Sequence, residues 1–320
     1  MTPSDAAGAP PPPDGPGSPA DPPSAARSTP AEPTPAGPTQ AGPAPDAPSR
    51  GSRAGRDLPM AIGVGVGLGI VIVLSLLLYR PAFMVIIAAA VLASVWEMSQ
   101  TLRRARGIEI EWLPVGLGCV ALVVLPWWFG HQAQALGIAV AALVCLLWRF
   151  RRGAAGYLQD VSASVFLLVY LGLFASFATL LVQPEDGAKR VLVFLIVVVC
   201  SDTGGYASGV VLGKHPMAPS ISPKKSWEGF GGSLLTAMIG GALSVWLLLD
   251  HPWWQGVVIG AVLTVVAVIG DLAESLIKRD LGVKDMGTLL PGHGGIMDRL
   301  DSLLPSAVIA WALLNAFVGH

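Results

Sequence analysis

The sequence predicts an all-α integral membrane protein, a polytopic bundle of about nine transmembrane helices behind a disordered N-terminal tail. Three observations predict it. Only 13% of the 320 residues are charged, 53% are hydrophobic and mean hydropathy is +0.63, whereas a soluble domain carries about 25% charged residues. From Leu58 onward, apolar runs of helix length follow one another, each bounded by charges, Pro or Gly. Before them, sixteen of the 27 prolines crowd into positions 1–50 among Ala, Gly, Ser and Thr.

The tail, 1–57, has too few apolar side chains to offset the entropy of ordering it. It also lacks the basic start and apolar core of a secretory signal. Pro-rich tracts form extended segments that recruit partners, but a solvated extension is the simpler reading. The spans then fall at 58–79, 82–99, 112–129, 133–149, 160–182, 189–211, 230–249, 253–277 and 302–318. Backbone groups in lipid must be satisfied within the segment, so these are helices. With the N-terminus in the cytoplasm, seventeen of the 20 Lys and Arg fall inside, and only Arg80, Lys189 and Arg190 outside. The chain divides into the tail, an N-terminal group of spans (58–188) and a C-terminal region (189–320) that carries the chemistry.

Several features carry bland explanations. A net charge of −1 gives no field for nucleic acid. Cys119, Cys145 and Cys200 lie in apolar runs without disulfide or zinc spacing. Gly63, Gly65, Gly67 and Gly69 lie mid-span with no strand before them, so close helix packing is expected rather than a nucleotide loop. Trp127, Trp128, Trp253 and Trp254 mark outer interfaces. Glu97, near the inner end of the second span, has two readings: an intramembrane acid with a function, or a helix-end acid that reaches water.

Chemistry concentrates in two inside loops and the spans that feed them. Asp202 sits in an apolar span beside Gly204 and Gly205, and a carboxylate there is costly unless paired or bound to a cation. Ser222-Pro223-Lys224-Lys225-Ser226 gathers two ammonium groups and two hydroxyls suited to phosphate oxygens. The competing reading of Lys224 and Lys225 is an inside loop on anionic headgroups. Asp271, Glu274, Ser275 and Lys278 share one helical face by their spacing. Asp298 and Asp301 stand three apart at the start of the last span, after Gly294-Gly295. Hard oxygen donors without clustered His or Cys point to Mg²⁺ held with substrate phosphates.

The stretch Ser275–Asp301, S-L-I-K-R-x4-K-D-x-G-x3-L-P-G-H-G-G-I-M-D-R-L-D, closely resembles the signature of phosphatidate cytidylyltransferases. Asp202-Thr203-Gly204-Gly205-Tyr206 and Ser222-Pro223-Lys224-Lys225-Ser226-Trp227-Glu228-Gly229 resemble further blocks of that family, with Ser226 for the usual Thr and Gly205 for the common Ala. The resemblance covers 189–320 strongly and the earlier spans by hydropathy alone. It implies an enzyme of phospholipid biosynthesis, a nucleotidyltransferase that converts CTP and phosphatidate to CDP-diacylglycerol and pyrophosphate. It also implies Mg²⁺ dependence, a second, monovalent cation such as K⁺, and a homodimer of multi-span helices; the Lys and Arg distribution puts the N-terminus and the active site on the cytoplasmic side of the plasma membrane. On that reading Asp202, Asp271 and Asp298 are metal ligands, with Glu274 and Asp301 close by. Lys224, Lys225 and Ser222 hold the CTP phosphates, and Lys278 and Arg299 clamp phosphate. His293 has two equal roles open to it, phosphate donor or loop-ordering hydrogen bond. A secondary transporter is the main alternative, since transporters also use intramembrane acids, but no internal repeat is present and the acids cluster at one face. Neither the D-G-x2-A-R pattern of CDP-alcohol transferases nor a P-loop occurs.

Overall fold

The computed structural model describes residues 54–287, 289 and 295–319. Of the expected disordered tail, 1–53 lie outside the described residues, while 54–57 already belong to the first helix. That helix, α1 (Ala54–Leu78), is followed by α2 (Arg80–Arg106), α3 (Trp112–Val124) and α4 (Pro126–Arg149). Next come α5 (Tyr157–Leu167) and α6 (Phe174–Val182), joined without a break by a π-helical turn, Leu168–Leu173, and then α7 (Gly187–Leu212). A hairpin of β1 (Pro216–Ala218) and β2 (Ser222–Ser226) precedes α8 (Trp227–Leu249) and α9 (Trp253–Leu281). The short α10 (Met297–Leu300) leads into α11 (Leu303–Val318).

Among the described residues, seven helical stretches are long and apolar enough to cross a bilayer. They are Arg80–Arg106, Pro126–Arg152, Tyr157–Val182, Gly187–Leu212, Trp227–Leu249, Trp253–Leu281 and Met297–Val318. Two shorter apolar helices, Gly65–Leu78 and Trp112–Val124, coincide with the remaining expected spans at 58–79 and 112–129. The fold is therefore a multi-pass helical membrane bundle, and the hairpin is a small addition to the all-α expectation.

Two apolar clusters organise the bundle. One joins α2, α3, α4 and the π-helical turn through Val95, Met98, Cys119, Leu167 and Leu171, and also takes in Met286 and Met297 from the segment between α9 and α11. The other joins α6 to α9 and α11 through Val193, Val197, Val245, Ile259 and Leu314. Lipid tails are as apolar as Leu, so helices in a membrane gain by close contact rather than by desolvation. The α7–α8 seam follows that logic: a Cβ at Gly204 would meet Gly232 O at 2.8 Å, as well as the Thr236 side chain. Thr236 Oγ1 donates across the seam to Cys200 O (2.7 Å), and Ser233 Oγ to Ser201 O (2.7 Å). By contrast, among the described residues the expected close packing finds no neighbour at Gly63, Gly67 or Gly69. A Cβ at any of the three would meet nothing within 4 Å, because α1 enters the apolar clusters nearer its C-terminal end, at Ile72 and Leu76.

Candidate active site

α7, the β1–β2 hairpin, α8, α9 and α10 frame a polar cavity of about 530 Å³. α7 supplies Asp202, β2 supplies Lys224 and Lys225, and α9 supplies Asp271 and Lys278. Asp285, Asp298, Arg299 and Asp301, from the segment leading into α11, complete its charged wall. Residues that the sequence separates by about a hundred positions thus converge on one end of the bundle.

Local folding explains each placement. Ser226 caps α8, its Oγ accepting from Gly229 N (3.1 Å). Trp227 N donates to His215 O (3.0 Å), and the Glu228 carboxylate accepts from Lys214 N and His215 N (3.2 Å each) while meeting His215 Nδ1 at 2.6 Å. Arg279 Nε reaches Ile221 O (3.3 Å), so α9 holds the hairpin's turn. These ties hold the lysine-bearing strand at the cavity. α9 ends at Gly282, whose left-handed backbone (φ 68°) suits a residue without a Cβ and turns the chain toward Asp285.

The charges are arranged in pairs. Lys225 bonds to Asp271. Lys278 bridges Glu274 Oε2 (2.7 Å) and Asp298 Oδ1 (2.5 Å). Asp298 also accepts from Gly295 N (2.9 Å) and Met286 N (3.2 Å) through Oδ2, so one carboxylate both orders the backbone and faces the cavity. Asp301 Oδ1 accepts from Ser302 N (2.6 Å).

Eight of the eleven expected site residues, Asp202, Lys224, Lys225, Asp271, Lys278, Asp298, Arg299 and Asp301, line the one cavity. Glu274 does not: it is fully buried behind Lys278, with its carboxyl group against that of Asp301. Ser222 lies at the far end of β2, paired with Ala218, and does not line the cavity. His293 lies outside the described residues. The five acids expected to bind metal do not form one knot; among the described residues no three His, Cys, Asp or Glu side chains gather as a metal site. The reason is visible in the pairing, since ammonium groups occupy the positions between carboxylates. The donor set remains one of hard oxygens, and the adjacent Glu274 and Asp301 carboxyl groups together need a shared proton or a cation.

Two residues are underweighted by sequence reasoning. Asp285 lines the cavity, although it reads as one half of an ordinary Lys-Asp loop pair. Glu97 is 2% exposed and accepts from Leu289 N and Met297 N, so of its two readings the helix-end acid reaching water is excluded. Its signal was that of a lone acid in an apolar run.

Residues 60–317 match the cytidylyltransferase family. The chain belongs to that family. It is 44% identical over 277 residues to the phosphatidate cytidylyltransferase of Mycobacterium bovis, covering 82% of this chain and 90% of that protein. The phosphatidate cytidylyltransferase of Mycobacterium leprae is 45% identical over 279 residues, covering 82% and 89%. That of Brucella suis is 39% identical over 182 residues, covering 55% and 63%. Family membership makes the cavity a candidate nucleotidyl-transfer site, and its paired lysines and carboxylates are the side chains available to it.

Proposed function

We propose that this protein transfers a cytidylyl group from CTP to phosphatidate, giving CDP-diacylglycerol and pyrophosphate. The observation that carries the proposal is a cavity lined by both Lys225 and Asp298 at one end of a membrane bundle, in a chain of the cytidylyltransferase family with phosphatidate cytidylyltransferases as relatives.

A phosphatidate phosphate oxygen attacks the α-phosphorus of CTP, the new P–O bond forms, the α–β bond breaks and pyrophosphate leaves with the electron pair. The nucleophile is an anion at neutral pH and needs little base. The obstacle is repulsion between two polyanions, so catalysis rests on positioning and charge neutralisation. Lys224 and Lys225 bind the triphosphate, and Lys278 and Arg299 hold the lipid phosphate or the leaving pyrophosphate. Ser222 and His293 complete the proposal as further phosphate-binding groups. Mg²⁺, held by Asp202, Asp271 and Asp298 with Glu274 and Asp301 beside them, would supply further neutralisation of the phosphate oxygens; a monovalent ion such as K⁺ is the second cation of the proposal. Binding it requires the ammonium groups to turn from the acids toward phosphate, which anionic substrates favour.

The finer topology belongs to the same proposal. The nine helical rods are nine spans, the N-terminus and the cavity face the cytoplasm where CTP is available, the membrane is the plasma membrane, and the working unit is a homodimer. The excess of Lys and Arg on the cavity side supports the orientation.

The test is turnover by detergent-purified protein with phosphatidate, Mg²⁺ and CTP labelled at the α-phosphate. Lipid-soluble label is expected from wild type and is lost with Asp298→Asn. CTP labelled at the γ-phosphate should give labelled pyrophosphate and no labelled lipid. Folded wild type that yields no lipid label across Mg²⁺ and K⁺ concentrations would overturn the assignment.

A further inference from the structure

Glu97 stands on α2, outside the polar cavity, yet its carboxylate is committed to the segment that carries Asp298 and Arg299. Oε1 accepts from Leu289 N (3.3 Å) and Oε2 from Met297 N (3.1 Å). One turn further along α2, Thr101 Oγ1 donates to Met286 O (2.8 Å). The carboxylate occupies space that side chains at Gly287 and Gly295 would claim: a Cβ at Gly295 would lie 2.8 Å from Glu97 Oε2. Met286 and Met297, 1% and 0% exposed, anchor the same segment in the apolar cluster of Met98 and Leu102.

These contacts form a relay. Met297 N, held by Glu97, is the peptide N–H immediately before Asp298. Asp298 in turn accepts from Gly295 N and Met286 N and pairs with Lys278. A buried carboxylate that gives both oxygens to backbone N–H groups makes strong charge-assisted bonds, and a loop without such bonds samples many conformations. A purely structural acid would have served any neighbouring element. This one grips two backbone sites, Leu289 N and Met297 N, the second of them next to Asp298.

We infer that Glu97 is a positioning residue for the reaction proposed above, a buried clip on α2 that holds the backbone at Leu289 and Met297 and so sets Asp298 and Arg299 in the cavity. It touches no reacting atom. Its effect falls on turnover through the placement of those side chains more than on nucleotide affinity, which the hairpin lysines carry.

The experiment compares full-length wild type and Glu97→Gln in detergent by amide hydrogen exchange and by steady-state kinetics. Gln keeps the shape but presents an N–H₂ donor to one of the two backbone donors. Exchange in peptides covering Leu289 and Met297 should quicken by about tenfold or more, the fold-change of one lost charge-assisted bond, with the α7–α8 seam unchanged. kcat should fall about tenfold, while KM for CTP moves by less than about threefold. Exchange that rises equally in α7 and α8, or a kcat within twofold of wild type, would overturn the inference. If Glu97→Gln does not fold, Glu97→Asp keeps the charge but shortens the reach of the carboxylate; unchanged exchange at Leu289 and Met297 in that variant would likewise overturn it. The exchange measurement is independent of the substrates. Wild type that makes no CDP-diacylglycerol refutes the proposed reaction, whereas unchanged loop exchange refutes the clip.

Discussion

Replacing Lys278 by Met removes the cation shared by two acids that have little access to water. Glu274 is fully buried, the Asp298 side chain is 7% exposed and that of Lys278 itself is 18% exposed. At an effective dielectric constant of about 20, contacts of 2.7 and 2.5 Å each represent about 6 kcal/mol of gross attraction. Desolvation of all three groups offsets most of that sum. What remains on truncation is the cost of two buried carboxylates left facing each other, about 3–5 kcal/mol by comparison with other broken buried pairs. For a chain of this size that is a fall in Tm of about 6–20 °C. A thermal melt read by a thiol-reactive dye suits the molecule, because Cys119 and Cys145 are buried and report unfolding. The double variant Lys278→Met/Glu274→Gln should regain about 1–3 kcal/mol, since one orphaned charge is gone, yet remain inactive because Lys278 lines the cavity. A Tm shift below about 2 °C for the single variant, or a double variant no more stable than the single, would refute the shared-cation reasoning.

Two further outcomes follow from the packing and the cap. Gly204→Val drives a branched side chain into Gly232 O and Thr236 and should cost about 1–3 kcal/mol or more by overpacking, whereas Gly67→Ala, with nothing within 4 Å, should leave Tm unchanged; equal effects in the same melt would argue against the seam. Ser226→Ala removes the acceptor for Gly229 N and should cost about 1 kcal/mol and raise KM for CTP through the adjoining lysine strand, with Ser226→Thr restoring both in the kinetic assay.

The helices were legible because each apolar run has the length of a span and is bounded by charge, Pro or Gly. Thus α7, expected at 189–211, occupies Gly187–Leu212, and α8, expected at 230–249, begins three residues early, at the Ser226 cap. The hairpin was not legible, because Ser222–Ser226 is a polar strand interrupted by Pro223 and shows no alternation of apolar residues. The cavity was legible as a set of residues but not as a pattern of partners. Helical spacing put Asp271 and Glu274 on one face, but it could not reveal that Lys225 would meet the first and Lys278 shield the second. Glu97 shows the limit most clearly. Its partners lie 192 and 200 residues away, and only the contact of α2 with the backbone at Leu289 and Met297 makes the connection.

The α7–α8 seam also bears on how freely the sequence can change over generations. Val210 and Val211 on α7 are 68% and 78% exposed and look outward, where any apolar residue dissolves equally well in lipid. Gly204 and Gly232 meet backbone to backbone, and there every heavier residue is excluded by volume alone, whatever its polarity. Asp202 rides on the same helix two residues before Gly204, so a displacement of the seam would carry a carboxylate of the candidate site with it. Drift along α7 is therefore confined to its lipid side, and selection on catalysis reaches the glycines even though they contribute no functional group.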